Sequence, residues 1–125
     1  MMQRSYDISI NDSAIFMERN VPTVRSRKGW NDKTLYKVRF FLEGRDLFFV
    51  ESVVYHLHPS FREALRLVTR TATNQECDLV NWLWGLFTVT AVVTMSDGNT
   101  MVIEHKMHFD KELKEREKDI NYIKR

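Results

Sequence analysis

Cysteine is almost absent from the sequence: Cys77 stands alone among 125 residues. One thiol cannot form a disulfide within the chain, and it cannot supply the paired thiolates of a zinc knuckle. The simplest consequence is a reducing compartment, and we expect a cytoplasmic protein. Because Cys77 lies in a strand-like segment, we expect its side chain to be a small buried hydrophobic group.

Long hydrophobic runs are also missing. The longest ones, such as residues 47–50, are far shorter than the roughly 20 apolar residues that a membrane-spanning helix needs. No long apolar stretch follows the first seven residues, so we expect no signal peptide. The sequence therefore predicts a protein that does not insert into a membrane.

The groups that catalysis would need are not found together. The sequence has no glycine-rich phosphate loop. Ser60 and His58 are close in sequence, but nothing nearby supplies the orienting acid and the oxyanion donors that a nucleophilic serine requires. We therefore expect a protein that is not an enzyme and that uses no cofactor.

A metal site is not expected either, although the sequence contains four histidines: His56, His58, His105 and His108. The first two point to the same face of a predicted strand, whereas His105 and His108 do not share a face. No acidic or cysteine partner lies at a suitable spacing from them. These patterns predict no metal ligands.

What the sequence does contain is strand patterning. Residues 35–42 and 87–95 alternate between apolar and polar side chains, and residues 96–99 form a hairpin turn that leads into a return strand over 100–109. Residues 48–57 predict a long strand with a bulge near Glu51, and Pro59 ends it. Further strands are predicted over 6–10, 14–19 and 76–83.

Three segments are harder to assign. Residues 64–71 favour a strand, with a helix over 61–68 as the alternative. Asn11 and Asp12 indicate a turn, and Pro22 opens a basic loop over residues 23–32. The tail, residues 111–124, follows the N-cap residue Asp110 and is rich in strong helix formers, so we expect a short C-terminal helix there.

These elements predict an all-β fold. Six to eight short strands without a strand–helix–strand rhythm are typical of a β-sandwich, and we expect about 7–8 antiparallel strands. A length of 125 residues suits a single domain with one core. We expect that domain to span residues 1–125, with its core over about 34–109 and the helix over 111–124.

Two corner motifs resemble the YEATS domain family, and most closely its prokaryotic branch. The first corner is LHPSF at residues 57–61, and the second is WGLF at residues 84–87. The segments VVYH at 53–56 and SDG at 96–98 also resemble the family pattern. The likeness covers roughly residues 35–109, and it implies an immunoglobulin-like β-sandwich.

The resemblance also implies a function. In eukaryotic members of the family, loops at one end of the sandwich hold an acylated lysine between two aromatic rings. Carried over to this sequence, Phe61 and Trp84 would be the facing rings, and the Ser60 hydroxyl would bond to the acyl amide. His58 would support the pocket. The implied protein is a non-enzymatic recognition module for an acylated lysine, or a similar flat side chain, of a partner protein.

Three further positions bear on the implied pocket. Gly85 follows Trp84 in the second corner, and Trp30 lies where the family places another loop aromatic. Leu83 stands where the family usually has glycine. The sequence therefore leaves two interpretations, an open aromatic slot or a slot closed by the Leu83 side chain.

Other interpretations stay open. Phe61 and Trp84 could be core residues at one end of the sandwich. The domain could be a structural or protein-interaction module of a bacterial signalling or defence system, with no acyl-lysine pocket. Residues 25–33 could bind nucleic acid through charge and base stacking; their candidate residues are Arg25, Arg27, Lys28 and Trp30. A net charge of only +2 makes this the weakest hypothesis.

Overall fold

The fold was analysed in a computed structural model, which describes residues 6–29, 32–59, 61 and 63–124. Across these residues, ten β-strands form two sheets, and one short α-helix lies near the end of the chain. The strands are, in chain order, β1 (Ser9–Ser13), β2 (Phe16–Glu18), β3 (Val21–Lys28), β4 (Thr34–Glu43), β5 (Val50–His56), β6 (Leu65–Thr69), β7 (Leu79–Leu83), β8 (Thr88–Met95), β9 (Thr100–Lys106) and β10 (Asn121–Lys124).

The first sheet contains six strands arranged around β4. The strand β4 pairs antiparallel with β1, β3 and β7, and β2 and β10 extend the sheet through β3. The pairing of β10 with β3 is parallel, whereas the other pairs in this sheet are antiparallel. This sheet therefore holds together segments from both ends of the described chain.

The second sheet has four antiparallel strands in the order β6-β5-β8-β9. Its register shifts between Val50 and Ser52, which is where the sequence predicts a bulge near Glu51. Residues 65–69 form a strand, so the helical alternative for this segment is wrong. The strand β5 ends at His56, and the corner that contains Pro59 follows it.

The core lies between the two sheets. Its clearest contribution comes from β8, in which Val89, Ala91, Val93 and Met95 are fully buried while the residues between them are not. This alternation arises because successive strand side chains point to opposite faces. Burial of a valine or methionine side chain contributes about 1.5–3 kcal/mol, so β8 contributes strongly to the stability of the core. The predicted all-β, immunoglobulin-like sandwich is confirmed, with ten strands in the described residues in place of about 7–8.

The tail differs from the predicted helix over 111–124. The helix α1 covers only Phe109–Glu115, a 3₁₀ turn follows at Glu117–Asp119, and the last described residues form β10. Asp110 lies in the first turn of α1, and His108 is the N-cap residue. The helix does not continue to the end of the tail because Tyr122 and Ile123 favour a strand and the β10 backbone pairs with β3. None of the helices in the described ranges has the length and apolar character needed to cross a bilayer.

Two predictions near the start of the chain are also wrong. The predicted basic loop over 23–32 is largely the strand β3, in which Val24 and Ser26 are buried while Arg27 and Lys28 are exposed. The predicted turn at Asn11 and Asp12 lies within β1. In both segments, polar residues that are common in loops lie on strands that pair with β4.

Candidate functional site

The first corner is a tight turn that follows β5. The backbone N–H of Phe61 donates to the carbonyl oxygen of His58 at 3.0 Å, which closes a four-residue turn. Proline in the second position of such a turn supplies the backbone φ angle that the turn requires, and Pro59 occupies that position. The N–H of Leu57 donates to the carbonyl oxygen of Ala64 at 2.7 Å and closes the wider loop. These bonds hold the Phe61 ring at the end of the sandwich.

The second corner connects β7 to β8. Its first residue after β7, Trp84, has 46% of its surface exposed, although tryptophan is usually well buried. Gly85 follows, and a side-chain Cβ built on it would have no atom within 4 Å. The space beside this glycine is therefore open, and the Trp84 ring extends from a short exposed loop.

The two corners meet as the sequence analysis proposed. The centroids of the Phe61 and Trp84 rings lie 6.0 Å apart, and the ring planes differ by 28°, so the two rings stack. A cavity of about 70 Å³ lies beside them, lined by His58, Phe61, Leu83, Trp84, Gly85, Leu86 and Phe87. We call this arrangement the aromatic slot. Its lining contains no acidic, lysine or arginine side chain among the described residues, so it suits an uncharged flat group.

Phe87 is a member of the aromatic slot that sequence reasoning did not select as a site residue. Its ring lies 6.0 Å from Phe61, 5.9 Å from His58 and 6.2 Å from Phe40. Because Phe40 is fully buried, Phe87 connects the slot to the core. The signal was present in the sequence, since Phe87 is the last residue of the second corner motif as well as the start of the predicted strand over 87–95.

Leu83 does not separate the two rings. Only 1% of its surface is exposed, because its side chain is the last one of β7 and packs into the core. Leu83 lines the cavity from the core side, while Phe61 and Trp84, which also line it, stack directly on each other. A leucine in the position of the usual family glycine is therefore compatible with a slot between the two corners.

One lysine lies close to the slot without lining its cavity. The Nζ atom of Lys33 is 5.4 Å from the centroid of the Trp84 ring, which is within the range of a cation–π contact. The Lys33 side chain belongs to an exposed residue. The slot is therefore apolar inside and has a positive charge beside one of its rings.

Four of the six predicted ligand-binding residues are brought together: His58, Phe61, Trp84 and Gly85 all line the same cavity. Their contact with a ligand stays a prediction. The other two, Ser60 and Trp30, lie outside the described residues. The predicted hydrogen bond from Ser60 to an acyl amide therefore lies outside the described part of the structure.

The basic segment has much of its charge engaged within the protein. Arg25 forms an ion pair with Glu18 at 2.7 Å, and this carboxylate raises the pKa of Arg25. The guanidinium of Arg27 lies 4.2 Å from the centroid of the Trp82 ring. Arg25 and Arg27, two of the cations that the nucleic-acid hypothesis needed, therefore contact other side chains of the protein. No observation in the described residues favours that hypothesis.

Comparisons with known proteins agree with the fold and with the corner motifs. The sequence matches the family model described as the prokaryotic YEATS domain over residues 36–108. No curated protein matches it. Among solved structures, it is similar to one described as the Yaf9 YEATS domain recognising an H3K122suc peptide, with 16% identity and a TM-score of 0.58. That alignment covers 86% of this chain and 74% of the solved chain.

Proposed function

Because the chain belongs to the prokaryotic YEATS domain family, we propose that it is a recognition module that binds an acylated lysine, or a similar flat uncharged side chain, of a partner protein. The observation that carries the proposal is the stacking of Phe61 on Trp84 beside an apolar cavity. A second supporting fact is that Trp84 is kept half-exposed at the end of the sandwich, where a partner can reach it. The module acts by binding and carries out no chemical reaction.

An acylated lysine fits such a slot for physical reasons. Acylation removes the charge of the lysine, so the side chain can enter an apolar cavity without the cost of burying an ion. The flat amide can stack on aromatic rings, and each ring pair contributes about 0.5–1.5 kcal/mol beyond the burial of surface. An unmodified lysine lacks both advantages, so the module discriminates between the two forms.

Ligand entry requires the slot to widen. A flat group held between two rings needs about 3.5 Å on each side, or about 7 Å between the ring centres. The centroids of Phe61 and Trp84 are 6.0 Å apart. Two rings that stack on each other leave no room for a third flat group, so binding requires them to move apart, and the exposed loop around Gly85 has the space for this movement.

The decisive experiment compares two tryptophan variants. We expect Trp84→Ala to weaken the binding of an acyl-lysine peptide about tenfold or more, because a loss of about 1.4 kcal/mol already gives that factor. The matched control is Trp82→Ala, since Trp82 lies outside the cavity and contacts Arg27. Binding is measured by isothermal titration calorimetry with acetyl-, butyryl-, crotonyl- and succinyl-lysine peptides and with the unmodified peptide.

The same titrations can contradict the proposal. Near-ultraviolet circular dichroism confirms that both variants are folded. A folded Trp84→Ala variant that binds like the wild type would exclude the slot as the binding site. Equal affinity for the acylated and unmodified peptides would exclude acyl-lysine recognition and leave a protein-interaction module without an acyl pocket.

Lys33 predicts a preference among acyl groups. Its Nζ atom lies 5.4 Å from the Trp84 ring, so an acyl chain that ends in a carboxylate would place its negative charge near this cation. We expect succinyl-lysine to bind more tightly than butyryl-lysine in the wild type and the difference to shrink in Lys33→Gln. The pairing of Lys33 with the carboxylate is exposed, so it strengthens the binding free energy of succinyl-lysine by about 1 kcal/mol or less at physiological salt. A difference that Lys33→Gln leaves unchanged would show that Lys33 does not select the acyl group.

A further inference from the structure

A cluster of potential metal ligands lies apart from the aromatic slot. It consists of Asp12 in β1, His105 in β9 and His108, the residue at the start of α1. One ligand atom from each of the three residues lies within 4.8 Å of the other two. We call this group the Asp12 cluster.

The sequence predicts no metal ligands here for two reasons, and neither holds in the folded chain. His105 and His108 were not expected to share a face, but the chain leaves β9 at Lys106 and their ring centroids come within 5.1 Å. No acidic partner was expected at a suitable spacing, because Asp12 is 93 positions away from His105. Only the packing of β1 against β9 brings the carboxylate to the histidines.

The carboxylate of Asp12 is fixed in place by the backbone. Its two oxygens accept hydrogen bonds from the N–H of His108 at 3.1 Å and from the N–H of Phe109 at 2.9 Å. Both donors belong to the residues at which α1 begins. Bonds of this kind orient metal ligands in known sites before the ion arrives. Asp12 is therefore a preorganised ligand.

The histidines complete a compact set of donor atoms. Nε2 of His105 lies 2.5 Å from Oδ1 of Asp12, and Nε2 of His108 lies 3.5 Å from the same oxygen. Nε2 of His108 is also 2.8 Å from Oδ1 of Asn11, which adds a fourth donor. Ligands of a tetrahedral zinc ion are about 3.3 Å apart, given bonds of about 2.0–2.2 Å. The observed separations are on both sides of this value, so small side-chain shifts would bring the donor atoms to the spacing of a tetrahedral zinc site.

The charges around the cluster also favour a cation. No part of the Asp12 side chain is exposed, and a buried carboxylate is costly unless positive charge compensates it. Among the described residues, the ion-pair partners of Asp12 are His105 and His108 alone. The His108 side chain is 41% exposed, which leaves a path for an ion and room for a water ligand.

We propose that the Asp12 cluster binds one divalent transition-metal ion of the zinc class. Imidazole nitrogens and carboxylate or amide oxygens suit Zn²⁺ and Ni²⁺. Nε2 of His105, Nε2 of His108 and Oδ1 of Asp12 are the ligands, with Oδ1 of Asn11 as a fourth. The ion would hold β1, β9 and the start of α1 together, and this role is independent of the aromatic slot.

The test is a titration of the tag-free protein with Zn²⁺ alone. We expect saturable binding of one ion per chain by isothermal titration calorimetry, and His108→Ala weakens it by at least about tenfold. His56→Ala is the matched control, because His56 lies at the end of β5 and belongs to no part of the cluster. We expect this variant to bind Zn²⁺ like the wild type.

The His108→Ala variant is suitable for this test because it keeps the contacts that hold Asp12 in place. His108→Ala retains the hydrogen bonds from the two backbone N–H groups and from His105 to Asp12, so we expect it to stay folded. A second measurement needs no substitution: Zn²⁺ should shift the imidazole nitrogen resonances of His105 and His108 and leave those of His56 in place. Binding in His108→Ala as tight as in the wild type, or no saturable binding at about 1 mM Zn²⁺, overturns the proposal.

Discussion

Trp84 and Phe87 belong to the same group of aromatic rings but have different roles in it. Trp84 is half-exposed and stacks on Phe61 at the end of the sandwich. Phe87 contacts Phe61 on one side and the buried Phe40 on the other. One corner motif therefore supplies both a residue that faces the solvent and a residue that stabilises the fold.

This difference predicts unequal effects on stability. We expect Trp84→Ala to lower the free energy of unfolding by about 1 kcal/mol or less, because half of its surface is exposed in the folded protein. We expect Phe87→Ala to lower it by about 3 kcal/mol, as the loss leaves a cavity beside Phe40. Urea denaturation followed by circular dichroism measures both values. Equal losses would mean that Trp84 is a core residue and would weaken the binding proposal.

Phe61 and Trp84 could be predicted to face each other because they lie in two short contiguous motifs that resemble the family pattern. A corner such as residues 57–61 carries its own turn signal, so the position of Phe61 follows from local chemistry. The Asp12 cluster has no such signal. Asp12 and His105 come from strands in different sheets and His108 from the start of α1, and only tertiary packing brings them together.

Gly44 and Gly98 lie in two turns that follow strands, and both have a positive φ. Gly44 follows β4 with a φ of +135°, and a Cβ on it would lie 2.0 Å from the carbonyl oxygen of Asp7. Gly98 in the β8–β9 hairpin has a φ of +87°, but a Cβ there would meet no atom within 4 Å. The two glycines share a positive φ and differ in the space around them.

We expect Gly44→Ala to destabilise the protein more than Gly98→Ala. The Gly98 variant loses only the backbone preference, which costs about 1 kcal/mol. The Gly44 variant adds a clash with a backbone oxygen, so we expect a loss of about 3 kcal/mol or more. Thermal and urea unfolding of the two variants measure the contrast. Similar losses at both positions would show that the chain near Asp7 can move away.

At the scale of elements, the sequence predicted strands with one buried face and missed those formed by polar segments. The alternation in β4 and β8 is explicit, and even the bulge near Glu51 in β5 could be located. The segment of β3 was interpreted as a loop because of its arginines, although Val24 and Ser26 alternate with them. For β10 the strong helix formers earlier in the tail hid the strand, although Tyr122 and Ile123 suit one, and pairing with β3 decides the outcome.

The stability of the whole protein depends on pH through two buried groups that lose a proton in alkali, the Cys77 thiol and the Tyr55 phenol. Burial raises the pKa of the Cys77 thiol to about 11, from an ordinary value of 9.0. Burial also raises the pKa of the Tyr55 phenol, whose O–H donates to the carbonyl oxygen of Cys77 at 2.7 Å. Both groups are therefore held in their neutral forms in the folded protein.

These shifts predict a loss of stability in alkali. Since the folded pKa of Cys77 is above its ordinary value, the thiol contributes its full stabilisation below pH 9.0 and loses it as pH rises towards 11. At about pH 10 we expect a loss of about 1 kcal/mol that Cys77→Ala does not show. Urea midpoints of both proteins between about pH 8 and pH 10 check this. Parallel curves would mean that the thiol is not responsible.

The parallel pairing of β10 with β3 has a consequence for folding kinetics. The two strands come from distant parts of the sequence, and a long intervening chain must be ordered before their hydrogen bonds can form. Interactions that form after the transition state contribute little to the folding rate and slow the unfolding rate. We therefore expect the pairing of β10 with β3 to form late, so that its loss speeds unfolding more than it slows folding.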